Sequence, residues 1–109
     1  MTSTTITVGA PVATLINVFT VQPSRQRELV DLLVKTTEEV MQHQPGFIAA
    51  NIHASTDGTR VVNYAQWEST EAFMAMLGDP DAGKHMGEAS AVADAVDPNL
   101  YTVDSVHHR

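Results

Sequence analysis

The order of predicted elements, strand-helix-strand-strand-helix-strand, indicates an α+β domain of the ferredoxin-like, split βαβ type. Three observations predict it: alternating β-branched residues over positions 12–21, an amphipathic helix directly after them, and an Asp57-Gly58 turn between two further apolar runs. Such a chain forms a sandwich of a four-stranded antiparallel sheet with helices on one face. Its 109 residues fit one domain, residues 1–109, with residues 1–10 as a loose N-terminal arm.

The first strand and first helix carry apolar residues at the spacing that each element requires. Alternation over residues 12–21 places four side chains on one strand face, those of Leu15, Asn17, Phe19 and Val21. Residues 23–43 repeat apolar side chains at helical spacing. Pro45 and Gly46 end this helix, because proline cannot continue it and glycine permits the turn.

The second half of the chain supplies the remaining elements. Residues 47–54 and 60–67 are predicted strands, and one face of the second carries Val61, Asn63, Ala65 and Trp67. Ser69 is a suitable N-cap for a second helix, which Gly78 ends. Asp79-Pro80 begins another helical segment, and residues 100–106 are predicted as the last strand.

Composition and charge exclude several classes of function. Without cysteine the chain has no disulfide, no thiolate nucleophile, no Cys-ligated zinc site and no iron–sulfur cluster. Its net charge of −7 disfavours nucleic acid and anionic membranes as partners. No apolar run approaches the roughly 20 residues of a membrane span. No signal-peptide core precedes the first strand, so we expect a cytoplasmic protein.

Two amides and a tryptophan lie within apolar strand faces, where a polar group is unfavourable unless it has a hydrogen-bond partner or a function. A buried amide with unmet hydrogen bonds costs about 1–3 kcal/mol. Bonding to a bulge or strand end would explain Asn17 or Asn63 singly, and Trp67 alone is as well explained by core packing. Because Trp67 shares a face with Asn63, the three together favour a small-molecule pocket.

Apolar side chains and one histidine complete the candidate site. The candidates for contact with a substrate are Phe19, His53, Phe73, Met76 and Met86. The five histidines lack metal-ligand spacing, and no glycine-rich nucleotide motif or nucleophilic serine motif occurs. We therefore expect no metal and no bound cofactor. Whether His53 or His85 contributes, and which group acts as a base, the sequence leaves open.

Several segments of the chain resemble the antibiotic-biosynthesis monooxygenase family of dimeric α+β barrels. The resemblance covers nearly the whole chain and rests on Gln44-Pro45-Gly46-Phe47, Asn51-Ile52-His53, the run DGTRVVNYAQW at 57–67, Ala72-Phe73 and the strand that carries Asn17. It implies a homodimer. The chain is most similar to anthrone oxygenases of aromatic polyketide pathways, which oxidise an anthrone to a quinone with O₂ and without metal or flavin.

The same resemblance implies which residues carry the site. In these oxygenases an Asn on the first strand and an Asn and a Trp on the third are functional, and Asn17, Asn63 and Trp67 match them. Some relatives use a tyrosine in the second helix, where this chain has Phe73, and this difference favours the Asn and Trp arrangement.

Two other functions fit the same fold. Haem-degrading relatives add an axial histidine in the helix after the Trp, and residues 69–77 contain none. A dimeric barrel that only binds a small molecule, or one that acts as an isomerase or cyclase, is the other alternative.

Overall fold

The computed structural model of the chain describes residues 2–109. Its elements are β1 (Ala13–Thr20), α1 (Gln26–Glu39), β2 (Phe47–Ala54), β3 (Arg60–Trp67), α2 (Thr70–Leu77), α3 (Pro80–Val92) and β4 (Ala95–Tyr101). Short 3-10 turns flank α1 at Pro23–Arg25 and Met41–His43. The strands lie in the order β2-β3-β1-β4, and each neighbouring pair is antiparallel. The predicted fold class is confirmed.

The helices cover one face of the sheet through two apolar clusters. In the first cluster Phe19 and Val61 of the sheet pack with Leu29 of α1, and Leu29 and Val61 are fully buried. The second joins Trp67 to Phe73 and other residues of α2 and α3. This face of the sheet is the one that carries both asparagines of the candidate site.

The register between β1 and β3 brings those two asparagines together. Asn17 is the direct cross-strand partner of Asn63, and Phe19 pairs with Val61 on the same face. Side chains that are directly opposed on antiparallel strands have Cβ atoms about 4.5–5.5 Å apart. Both amides therefore lie side by side beneath the helices.

An irregularity between Phe47 and Ala49 changes the alternation of β2. Phe47 pairs with Trp67, yet Ile52 pairs with Asn63 and His53 pairs with Val62. Strict alternation puts His53 on the face of Phe47. The extra residue reverses this, because a bulge shifts every later side chain to the other face. His53 consequently lies on the face without helices.

The last strand is not where the sequence predicted it. We expected residues 100–106, and the structure has Ala95–Tyr101, with Asp94 N–H donating to Thr20 O at 2.7 Å just before the strand begins. Pro98 pairs with Asn17 within this strand. Proline is tolerated here because β4 is an edge strand, and one side of its backbone has no neighbouring strand that needs an N–H donor.

The β2–β3 hairpin confirms the turn predicted from Asp57-Gly58. The Asp57 carboxylate accepts hydrogen bonds from Thr59 N–H at 3.0 Å, from the Thr59 hydroxyl at 2.7 Å and from the Ser55 hydroxyl at 2.8 Å. These donors stabilise the charged form, Thr59 N–H most of all, and lower the pKa of Asp57 to about 2. Gly58 follows with φ of 81°, a conformation that glycine adopts without strain.

The N-terminal arm lies against the sheet and contains no helix or strand over residues 2–12. The Thr4 hydroxyl donates to Asn51 Oδ1 at 2.7 Å, and Gln66 Nε2 donates to Thr5 O at 2.9 Å. Both contacts are on the sheet face without helices. None of the helices within residues 2–109 is both long and apolar enough to cross a membrane.

Candidate active site

A cavity of about 330 Å³ lies between the sheet and the helices. All four strands and all three α-helices contribute to its lining, which is mainly apolar. Small-molecule sites are typically apolar hollows of roughly 300–1,000 Å³ with a few polar groups. The cavity has the size and character of such a site.

Most of the site residues that were predicted from the sequence line the cavity. Asn17, Asn63, Trp67, Phe19, Phe73, Met76 and Met86 all line it. His53 does not: it is exposed on the other face, and its Nδ1–H donates to Asn51 O at 3.1 Å. The bulge in β2 is the reason, so His53 is separated from the other candidates by the sheet itself.

Three polar atoms in the cavity lining are buried without a hydrogen-bond partner among the described residues. They are Asn17 Oδ1, Asn63 Oδ1 and Thr36 Oγ1. More than 90% of buried polar groups in proteins have a partner, so three such atoms around one cavity are unusual. A terminal amide has both an acceptor and two donors, and a half-turn of either Asn exchanges them. The lining can therefore bind hydroxyl or carbonyl oxygens of a ligand.

Trp67 forms an aromatic wall at one end of the cavity. The indole is only 2% exposed and stands edge-on to Phe47, with ring centroids 5.5 Å apart, and to Phe73, at 6.2 Å. Edge-to-face packing of this kind holds a ring in one orientation. Trp67 thus serves the core and the cavity together.

A tight contact at Gly46 positions α2, which carries Phe73 and Met76. Gly46 has φ of 83°, and a Cβ at this position would lie 2.5 Å from Ala72 Cβ. Glu68 N–H donates to Gly46 O at 2.7 Å, and the Ser69 hydroxyl caps α2 by accepting from Ala72 N–H at 3.0 Å. The end of β3 and the start of α2 are therefore fixed against this glycine.

Sequence reasoning had left His85 unassigned, and the structure places it in the cavity lining. Its Nδ1 lies 2.9 Å from Asp81 O in the preceding turn of α3, and its side chain is 18% exposed. A signal was present, because Ala82, Met86 and Ala89 recur around it at helical spacing and are buried or partly buried. Thr36, a buried residue of α1, also lines the cavity.

Three apolar residues of the cavity lining are partly exposed to solvent. They are Leu77 of α2 and Val96 and Leu100 of β4, which are 40%, 36% and 41% exposed. Within residues 2–109 the lining contains no carboxylate, lysine or arginine, and His85 is its one side chain with a basic ring nitrogen. Over the same residues, no group of three or more His, Asp or Glu side chains is arranged to hold a metal ion.

The fold and cavity are those of a known family. The family model for antibiotic biosynthesis monooxygenases matches residues 13–88, which span β1 to most of α3. The chain belongs to this family. Tetracenomycin-F1 monooxygenase of Streptomyces glaucescens, a relative in the same class, is 47% identical over 89 residues, covering 82% of this chain and 80% of the relative.

Two solved structures of oxygenases have the same fold. The monooxygenase ActVA-Orf6 of Streptomyces coelicolor, solved in complex with nanaomycin D, is 33% identical with a TM-score of 0.79, covering 89% of this chain and 91% of its own. A variant of SnoaB, a cofactor-independent oxygenase from Streptomyces nogalater, is 25% identical with a TM-score of 0.77, covering 89% and 97%. The family and the monooxygenase class predicted from the sequence are confirmed.

Proposed function

We propose that this antibiotic biosynthesis monooxygenase oxidises an anthrone-type aromatic polyketide to its quinone with O₂ and without a cofactor. The observation that carries the proposal is the pair of Asn17 and Asn63, whose buried side-chain oxygens have no partner among the described residues, in an apolar cavity. Further support comes from the relatives, since one is a tetracenomycin-F1 monooxygenase and another a cofactor-independent oxygenase.

The reaction needs no redox group from the protein, because the substrate anion itself reduces O₂. An anthrone methylene is acidic because its carbanion delocalises into a ring oxyanion. That anion passes one electron to O₂, the resulting radical pair combines to a peroxide, and loss of water leaves the quinone carbonyl. One O₂ is consumed, one oxygen atom enters the product and the other leaves as water. The protein must exclude water, hold a planar substrate and stabilise the oxyanion.

Residues of the cavity match these tasks. The amide N–H groups of Asn17 and Asn63 would donate to the developing oxyanion. Trp67 would form one wall for the planar ring and could donate its indole N–H to the oxygen species. The flat remainder of the substrate would lie against four further apolar side chains, those of Phe19, Phe73, Met76 and Met86. Exposed apolar side chains of the lining, such as Leu100, would give such a substrate its first contact at the surface.

We further propose that the enzyme is a cytoplasmic homodimer in which the sheet faces without helices meet. On that face Ile16, Val18, Val62 and Tyr64 remain only partly buried within one chain. A second copy placed there would bury this apolar surface, and a chain of this size has a modest core of its own. The absence of cysteine is compatible with a reducing cytoplasm.

Sedimentation at micromolar concentration tests the dimer. We expect a single species of twice the chain mass. An aspartate at Val18, in the middle of the proposed interface, should convert it to a monomer, because a buried unpaired charge is costly. An aspartate at exposed Met74 on α2 is the matched control and should leave the dimer intact. A wild-type monomer under these conditions would contradict the proposal.

Oxygen uptake with a simple anthrone tests the activity. Protein dialysed against EDTA in metal-free buffer should consume O₂ with dithranol and form the quinone well above the rate of autoxidation. Added flavin, haem or metal ions should not increase the rate. Turnover that is lost after dialysis and restored by a metal would contradict the cofactor-free chemistry.

The same assay separates the alternatives. A haem-degrading enzyme would give a Soret band on titration with haemin and would then degrade it, with no turnover of dithranol. A non-enzymatic barrel would bind dithranol, for example by quenching of the single tryptophan, Trp67, without any uptake of O₂.

A further inference from the structure

We propose that His85 is the general base that removes the proton from the methylene carbon of the substrate. The inference rests on the proposed function, because a base is required only if the substrate is an anthrone that loses a proton from its methylene carbon. His85 is on α3, whereas the Asn and Trp side chains that the family resemblance implies are on β1 and β3. Three properties of the site lead to it: the fixed orientation of the imidazole, the composition of the lining and the access of the ring to solvent.

The contact with Asp81 fixes which nitrogen of His85 is free to act. A backbone carbonyl can only accept a hydrogen bond, so the 2.9 Å contact between His85 Nδ1 and Asp81 O requires the proton on Nδ1. In the neutral ring the lone pair is then on Nε2, which makes no hydrogen bond to a residue within 2–109. An imidazole held by Nδ1–H with Nε2 free is the arrangement that catalytic histidines adopt when they act as bases.

The remaining lining offers no competing base. Apart from backbone groups, the polar side chains there are amides and hydroxyls, which are too weakly basic to hold a proton at neutral pH. Carboxylates, lysine and arginine are missing from the lining within residues 2–109. A neutral imidazole carries a basic ring nitrogen, and histidine is the side chain that most often acts as a general base.

The position of His85 also provides a route for the proton after it is taken up. In the proposed step the C–H bond breaks, its electron pair moves into the ring system and onto the carbonyl oxygen, and the proton goes to Nε2. The imidazolium so formed lies 3.7 Å from the Asp81 carboxylate, which carries the opposite charge. Because the side chain is 18% exposed, the ring can return the proton to the peroxide intermediate or pass it to solvent.

Exchange of the methylene hydrogens with D₂O under nitrogen tests this step apart from oxygenation. Wild-type protein should accelerate deuterium incorporation into dithranol, and His85→Ala should lose about a hundredfold or more of that acceleration. Alanine is a good helix former, so α3 is expected to persist. Circular dichroism and the melting temperature check this. His43→Ala, an exposed histidine outside the cavity, is the matched control and should exchange as fast as wild type.

Chemical rescue adds a readout that a purely structural histidine would not affect. Free imidazole should restore exchange and O₂ uptake to His85→Ala in proportion to its concentration, and N-methylpyrrole, which is similar in shape and not basic, should not. His85→Gln, which cannot accept a proton at neutral pH, should behave as the alanine variant does.

The outcomes distinguish this inference from the proposed function. If wild type oxidises dithranol and His85→Ala exchanges and oxidises it equally fast, the inference is wrong and the proposed function stands. The same holds if the variant is slow and imidazole does not rescue it. If wild type neither exchanges nor oxidises any anthrone, the proposed function fails, and the role of His85 fails with it.

Discussion

Replacing Asn63 by alanine should lower kcat for anthrone oxidation by about a hundredfold or more and leave KM comparatively unchanged. The amide is expected to act on the oxyanion, which develops only as the reaction proceeds, so its loss should affect the transition state more than substrate binding. Removal of one oxyanion donor typically costs on the order of 3 kcal/mol. Single-turnover oxidation of dithranol by the folded variant measures the effect directly.

Two further variants show whether the effect belongs to the amide. Trp67→Phe keeps an aromatic wall and removes only the indole N–H, so it separates hydrogen bonding by Trp67 from its packing. Asn51→Ala removes an amide from the opposite face of the sheet, where its Nδ2 donates to Tyr64 O at 3.1 Å, and should retain wild-type kcat. Full activity in both Asn63→Ala and Trp67→Phe would leave these residues with a structural role alone.

Gly46→Ala should be the most destabilising small substitution in this chain. The residue has φ of 83°, and the added Cβ would lie 2.5 Å from Ala72 Cβ. Left-handed strain and overpacking each cost about 1–3 kcal/mol. Relief requires moving α2 away from β2, which would also displace Phe73 from Trp67. We therefore expect a lower free energy of unfolding and a loss of anthrone turnover.

Urea unfolding of Gly46→Ala and of a control variant, Gly87→Ala, measures the difference in the free energy of unfolding. Gly87→Ala is the matched control, because a Cβ on Gly87 meets nothing within 4 Å and alanine is favoured over glycine inside a helix. That variant should be as stable as wild type or slightly more so. If Gly46→Ala unfolds at the same urea concentration as wild type, the close contact between Gly46 and α2 does not contribute to stability.

Local patterns were enough to predict most of the fold. Alternation in β1 and β3 and the Asp57-Gly58 turn each depend on neighbours in sequence, and the structure agrees with all three. The last strand was misplaced because its signal is not local. Residues 95–99 include Asp97, Pro98 and Asn99, which favour turns, and they are extended only because β1 offers its free edge.

The candidate site was predicted unevenly for the same reason. Asn17, Asn63 and Trp67 lie on regular strands, so alternation places them correctly on one face. The face of His53 depends on one extra residue near Phe47, which no periodicity reveals. The position of His85 depends on how α3 packs over the sheet, which is a tertiary property.

Oxidation of dithranol under ¹⁸O₂ shows whether the protein inserts an oxygen atom of O₂ into the substrate without a cofactor. We expect EDTA-dialysed wild-type protein to give a quinone with one ¹⁸O atom in the new carbonyl and the other in water, with no hydrogen peroxide released, at a rate that falls sharply in Asn63→Ala. Unlabelled quinone formed together with two molecules of hydrogen peroxide per quinone, or a rate no different in Asn63→Ala, would contradict it.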